Sequence, residues 1–134
     1  MTFLLIAVGA AVGAPARYLT DRALRARYGD GFPWGTLVVN VAGSFLLGVI
    51  VAAATHEALD ERVLAGLGTG FCGALTTYST FSHETLRLLE DGSQARAAAN
   101  VAVSIIAGTV AATVGWSIGA MLTYGVYSMC RVGA

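Results

Sequence analysis

The residues with the most unusual chemistry in this sequence lie in one stretch, GFCGALTTYSTFSHE, residues 70–84. Its glycines weaken a helix, and its hydroxyl side chains compete with backbone hydrogen bonds, so the pattern predicts a helix that breaks near residues 73–77. Free backbone groups at membrane depth persist only where they are buried in protein or line a watery cavity. In transporters, such breaks supply carbonyls and helix ends that bind ions. The hydroxyl side chains are Thr76, Thr77, Ser79, Thr80 and Ser82.

Polar stripes follow two other apolar segments. In PWGTLVVNVAGSFLLG, residues 33–48, Thr36, Asn40, Ser44 and Gly48 recur every four residues and share one helix face. An amide in hydrocarbon needs a hydrogen-bond partner, so Asn40 is expected to face protein or water. Helix packing through small residues would also explain such a stripe, and a kinked packing helix would explain the stretch 70–84. The last apolar segment has a similar ladder, formed by Asn100, Ser104 and Gly108.

Membrane-spanning helices are the elements that would position these residues. The chain is 56% hydrophobic and only 12% charged, which is typical of a membrane protein. Four apolar segments reach or approach the roughly 20 residues that a helix needs to cross a bilayer. We therefore predict one all-α domain over residues 1–134. Its four transmembrane helices are expected at approximately residues 3–25, 33–54, 61–89 and 97–127, the third one broken.

The charged residues indicate an orientation and exclude one class of partner. The formal net charge is zero and no block of like charge exists, so nucleic-acid binding is not expected. By the positive-inside rule, a six-to-two arginine bias puts both termini outside and the first and third loops in the cytoplasm. A structural role for Arg17 would weaken that bias. The six are Arg17, Arg22, Arg25, Arg27, Arg87 and Arg96, and the two are Arg62 and Arg131.

Three motifs, VGAAVGAPARY (residues 8–18), GTLVVNVAGSFLLG (35–48) and GTGFCGALTTYSTFSHE (68–84), resemble the Fluc family of fluoride channels. These proteins are also called CrcB-type fluoride exporters. The resemblance covers three of the four predicted helices, in order. It implies a four-helix subunit that pairs antiparallel with a second subunit to form two fluoride pores. It also implies passive export of fluoride across a prokaryotic inner membrane, which lowers fluoride toxicity, and a structural sodium ion at the dimer centre.

The resemblance also implies roles for individual residues. Backbone carbonyls of Gly73 and Thr76 would hold the sodium ion. The family pattern has Phe where this chain has Tyr78; a Tyr ring keeps the positive edge that can contact an anion and adds a hydroxyl. The implied pore residues are Asn40, Tyr78, Phe81, Ser79 and Thr80. Further candidates are Thr36, Ser44, Glu84 and Ser104 for the pore or its vestibule, and Arg17 and Gly70 as structural residues.

Neutral donors of this kind suit fluoride, because a pore must replace the ion's water while still releasing it. Two other functions stay open. A small multidrug-type, proton-coupled transporter requires a carboxylate within the membrane, for which Glu84 is the candidate. A non-transporting assembly subunit would use the small residues for packing. An enzyme is not expected, since His56 and His83 have no catalytic partners at useful spacing. The second subunit is either another copy or a paralogue of opposite arginine bias.

Overall fold

The structure, a computed structural model of the chain, describes residues 1–55 and 59–132, with side chains up to residue 125. All regular secondary structure in these residues is helical, which confirms the all-α prediction. His56 and the side chain of Arg131, both used in the sequence analysis, lie outside the described part. The elements are α1 (Thr2–Tyr28), α2 (Trp34–Thr55), α3 (Glu61–Leu64), a π-helical segment (Ala65–Cys72), α4 (Gly73–Leu75), α5 (Tyr78–Glu90) and α6 (Gln94–Val132).

Three of these helices are long and apolar enough to cross a membrane: α1, α2 and α6. They correspond to the first, second and fourth predicted spans. Their outward surfaces carry large apolar side chains, such as Phe3, Ile106 and Met121, as expected for helices surrounded by lipid. The third predicted span, residues 61–89, corresponds to the succession from α3 to α5 and is made of shorter pieces.

Helices approach one another closely where glycines replace larger residues. A Cβ added to Gly13 of α1 would meet the carbonyl oxygen of Phe71, and one added to Gly70 would lie 2.6 Å from the carbonyl oxygen of Ile6. The backbones of α1 and the π-helical segment are therefore in direct contact, as is common between membrane helices. At the α2–α6 interface, the same close approach occurs at Gly48, Gly115 and Gly119.

The connection between the end of α1 and the start of α2 is short, and both helix boundaries are well defined. Gly29 follows α1 with φ of 73° and ψ of −173°, a positive-φ conformation that glycine adopts readily, and its N–H donates to the Arg25 carbonyl at 2.8 Å. Pro33 precedes the first residue of α2, where its missing N–H costs nothing. Rings of Phe32 and Trp34 pack with centroids 4.8 Å apart. This turn places charged residues at the end of α1 beside the start of α2.

Candidate functional site

Two extended residues separate α4 from α5. Thr76 has φ of −79° and ψ of 158°, and Thr77 has φ of −151° and ψ of 126°. In a continuous helix, the Thr77 N–H would donate to the carbonyl of Gly73, four residues earlier. Here it donates to a side chain of α2 instead. The helical hydrogen-bond ladder is therefore interrupted at this point, and its freed groups need other partners.

Asn40 supplies partners for the two backbone groups of Thr77. Its Nδ2 donates to the Thr77 carbonyl at 3.0 Å, while the Thr77 N–H donates to its Oδ1 at 2.8 Å. The side-chain amide thus replaces the peptide group that a helical neighbour would have offered. One proton of the Asn40 amide remains for a further acceptor, because an NH2 group has two. The sequence predicted that Asn40 faces protein or water, and the amide does contact protein.

A hydroxyl cluster, defined here as Thr77, Ser79 and Thr80, begins α5. The Thr77 hydroxyl accepts a hydrogen bond from the Thr80 N–H at 3.2 Å, which makes Thr77 the N-cap of this helix. The same oxygen lies 3.0 Å from the Thr80 hydroxyl and 3.3 Å from that of Ser79. The Thr76 hydroxyl points back along the chain and donates to the Cys72 carbonyl at 3.0 Å. The Thr76 N–H donates to the same Cys72 carbonyl at 3.0 Å, so the hydroxyl shares that acceptor with the backbone.

An open groove of about 750 Å³ runs beside the interruption, between α2, α5 and α6. Its polar lining consists of neutral groups, which include the amide of Asn40 and the hydroxyls of Ser44 and Ser104. Its aromatic lining consists of Tyr78 and Phe81, whose ring centroids are 6.0 Å apart. The groove therefore brings together predicted residues from three helices that are distant in sequence.

A smaller cavity of about 220 Å³ adjoins the same interruption, and Thr77 lines both spaces. Arg17, Thr36 and Thr80 line this cavity. The Arg17 guanidinium donates to the Thr76 carbonyl at 3.4 Å, so Arg17 holds the interrupted backbone from the α1 side. Of the predicted residues, Thr36, Thr80 and Arg17 therefore belong to the smaller cavity and not to the lining of the groove.

Glu84 lines neither space and instead belongs to an ionic network at the end of α1. Arg25 contacts the Glu84 carboxylate at 2.6 Å, the Asp21 carboxylate at 2.8 Å and the Asp30 carboxylate at 3.6 Å. The Glu84 side chain is only 5% exposed, whereas that of Asp30 is 69% exposed. The buried carboxylate is thus partnered by an arginine 59 residues away in sequence, on another helix.

Several polar groups of the site are uncovered in a single chain. Tyr78 is 81% exposed, and Gly73 and Ser79 are also exposed. Interrupted backbone and hydroxyl groups do not face lipid hydrocarbon, because no water is present there to satisfy them. This surface therefore requires cover from protein or contact with water.

Asn100 and Thr85 are polar residues whose contacts sequence reasoning missed. Asn100 is 1% exposed, and its Nδ2 donates to the Thr85 hydroxyl at 2.9 Å. The sequence marked Asn100 only as part of a stripe and did not single out Thr85. The available signal was the spacing of Thr85 four residues after Phe81, which puts both on one face of α5.

Comparisons with known proteins match most of the chain to one family. The family described as "CrcB-like protein, Camphor Resistance (CrcB)" matches residues 4–116. A protein of Frankia casuarinae named "Fluoride-specific ion channel FluC 1" is 55% identical over 120 residues, which cover 86% of this chain and 93% of the relative. A protein of the same name from Streptomyces avermitilis is 51% identical, again over 86% and 93%. "Fluoride-specific ion channel FluC" of Shewanella halifaxensis is 46% identical over 76% and 82%.

Proposed function

This chain belongs to the CrcB family, and we propose that it conducts fluoride across a membrane as a passive channel. It is a multi-pass membrane protein of a channel family and not an enzyme. The proposed role is export of fluoride from the cytoplasm through the inner membrane of a prokaryote, which lowers fluoride toxicity. Export needs no energy source beyond the gradient and a negative-inside potential, which favours the outward movement of an anion.

The groove beside the interrupted helix is the observation that carries this proposal. Its lining includes an amide, hydroxyls and two aromatic rings beside apolar side chains such as Leu47 and Ile105, and none of these groups is charged. Neutral donors can replace the hydration shell of a small anion without binding it as tightly as a fixed positive charge would. Ring edges carry partial positive charge and add further contacts. We assign Asn40, Tyr78 and Phe81 to the fluoride path, together with Ser79 and Thr80 from the hydroxyl cluster.

The environment of Glu84 argues against a proton-coupled transporter. Such a mechanism needs a carboxylate that exchanges protons with substrate within the membrane. The Glu84 carboxylate is engaged by Arg25 at 2.6 Å and does not line the groove. Ser44 and Ser104, which do line it, are hydroxyl groups that suit an anion path. Thr36 and Arg17 line the smaller cavity, which we assign to a vestibule of the same path.

A second subunit in antiparallel orientation would cover the exposed surface. Tyr78, Gly73 and Ser79 are exposed in one chain although they lie at the interruption of a membrane segment. Protein cover would remove these polar groups from lipid. Two copies related in this way would form two equivalent pores. The arginine bias of six to two favours a fixed orientation and hence a paralogue as partner, whereas a dual-topology homodimer would tolerate that bias.

The backbone at the interruption fits a structural sodium ion at the dimer centre. The Gly73 carbonyl lacks its regular helical donor, because the Thr77 N–H goes to Asn40. The Thr76 carbonyl belongs to an extended residue, and the bond from Arg17 leaves one of its two lone pairs. Unwound carbonyls of this kind coordinate sodium in other membrane proteins. One chain offers two such oxygens, so a second subunit would supply the others, and the bound ion would raise the local potential for an anion.

Fluoride efflux from liposomes that contain only this purified chain tests the function. A fluoride electrode outside the vesicles measures release, chloride release is the specificity control, and protein-free vesicles give the background. Efflux that spares chloride is expected from this chain alone or from its mixture with a paralogue, and efflux from the chain alone would show that a homodimer suffices. Absence of efflux from the wild type, from Tyr78→Phe and from mixtures with a paralogue would overturn the proposal.

Paired reporters on the C-terminus test the orientation. Alkaline phosphatase is active outside the cytoplasm and green fluorescent protein inside it. Signal from the phosphatase fusion alone is expected if the arginine bias fixes the orientation. Comparable signal from both fusions would support dual topology and contradict the hypothesis of a fixed orientation.

A further inference from the structure

A chain of hydrogen bonds connects α6 to the backbone of a groove-lining residue. Asn100 of α6 donates from Nδ2 to the Thr85 hydroxyl at 2.9 Å. Thr85 lies on α5, one turn after Phe81, and its hydroxyl donates to the Phe81 carbonyl at 2.7 Å. Phe81 lines the groove, whereas Asn100 and Thr85 do not. The two polar residues thus stand behind an aromatic residue of the fluoride path.

The number of protons fixes the direction of these bonds. A threonine hydroxyl has one proton, and a carbonyl can only accept, so the Thr85 proton goes to Phe81. Asn100 must therefore donate to Thr85, which fixes the orientation of its amide. Its Oδ1 is left buried without a hydrogen-bond partner among the described residues. An apolar residue of similar shape would avoid that cost, so packing alone does not account for an amide here.

α5 is tied to two different helices through two adjacent residues. Glu84 contacts Arg25 of α1 at 2.6 Å, and Thr85 contacts Asn100 of α6. Adjacent residues of a helix point about 100° apart, so two such ties together restrain rotation of the helix about its axis. The interruption directly before α5 removes the rotational restraint that a continuous helix would give.

We propose that Asn100 and Thr85 are positioning residues for permeation, whose hydrogen bond fixes the rotation of α5 and so holds the Phe81 ring at the groove. The inference rests on the proposed function, because the consequence is a change in fluoride flux. Loss of the bond lets α5 rotate and moves the ring relative to the donors on α2. Both the fluoride rate and the preference for fluoride over chloride then fall, while the subunits still fold and associate.

Matched variants of Thr85 test the proposal in the liposome assay. Thr85→Val removes the hydroxyl but keeps the shape, and is expected to lower fluoride flux about fivefold and to reduce the fluoride-to-chloride ratio. Thr85→Ser keeps the hydroxyl and should stay within about twofold of the wild type. Asn100→Leu should match Thr85→Val, and the double variant should lose no more than either, because all three lack the same bond.

Thr113→Val is the control on α6. The Thr113 hydroxyl donates to the carbonyls of Thr109 and Val110 at 3.1 and 2.9 Å, within its own helix. Wild-type flux is expected from this variant. Size-exclusion chromatography of every variant checks that folding and association are retained. If Asn100→Leu does not fold, the comparison of Thr85→Val with Thr85→Ser decides.

The outcomes separate this inference from the proposed function. Flux from the wild type together with unchanged flux and unchanged selectivity in Thr85→Val would overturn the positioning role alone. Equal losses in Thr85→Val and Thr85→Ser would also overturn it, because the hydroxyl would then not be the cause. Absence of fluoride flux from the wild type, from Tyr78→Phe and from mixtures with a paralogue would overturn the proposed function and the positioning role together.

Discussion

Polar groups are satisfied in opposite ways at the start and in the middle of one short helix, α5 (Tyr78–Glu90). At its start, neutral groups satisfy one another: Asn40 pairs with the Thr77 backbone, and Thr77 caps the helix. In the middle of the helix, charged groups satisfy one another, because Glu84 pairs with Arg25. The lining of the groove is thus free of a fixed charge that would trap or repel an anion. A charged network holds helices together, here through one arginine that contacts three carboxylates. The comparison teaches that the position of a polar group on α5, and not its polarity alone, decides whether it lines the fluoride path or connects helices.

The largest effect is expected when the neutral end is given a charge. Asn40→Asp replaces the donor that faces the Thr77 carbonyl by an acceptor and places a negative charge beside the path. Loss of a buried hydrogen bond combined with a like charge predicts a fall in fluoride flux of roughly a hundredfold or more. Efflux from liposomes measures it, and size-exclusion chromatography checks assembly. Wild-type flux in an assembled Asn40→Asp protein would remove Asn40 from the path.

A smaller but still clear effect is expected from the aromatic lining. Phe81→Ile keeps an apolar side chain of moderate size but removes the ring edge that contacts an anion, so flux should fall about tenfold with assembly intact. Phe3→Ile is the control, because Phe3 is 88% exposed near the start of α1 and far from the groove in sequence. Equal flux from both variants would mean that the aromatic lining is misassigned.

At the charged pair in the middle of α5, the expected effect is on stability more than on flux. Glu84→Gln removes the charge of a side chain that is 5% exposed. Removal of one member of a buried ion pair is strongly destabilising, but Arg25 is 38% exposed and keeps Asp21, so we expect a loss of about 2 kcal/mol. Thermal unfolding in detergent measures it. An unchanged midpoint would show that the network does not brace α5.

Sequence reasoning reached the long helices because membrane spans depend on local composition. Apolar runs predict membrane spans, so α1, α2 and α6 were foreseeable. The glycines and hydroxyls of the third segment predict a disturbed helix there. The pairing of Arg25 with Glu84 was not foreseeable, because the two residues are 59 positions apart and meet only in the folded chain, where the Arg25 side chain of α1 reaches the Glu84 carboxylate of α5. The same holds for Asn40 and Thr77. Periodicity predicted which face of α2 is polar but not which backbone group that face would bind.

The smallest effect is expected from the exposed partner of the same arginine, and it sharpens the contrast between buried and exposed charge. Asp30→Asn makes the same chemical change as Glu84→Gln, but the Asp30 carboxylate is 69% exposed and lies 3.6 Å from Arg25. Water already solvates and screens this pair, so the change in stability should stay within about 0.5 kcal/mol. Thermal unfolding of the two variants in parallel compares burial at constant chemistry. If Asp30→Asn lowers stability as much as Glu84→Gln does, the contribution of each carboxylate does not depend on its burial. The network would then act as one unit.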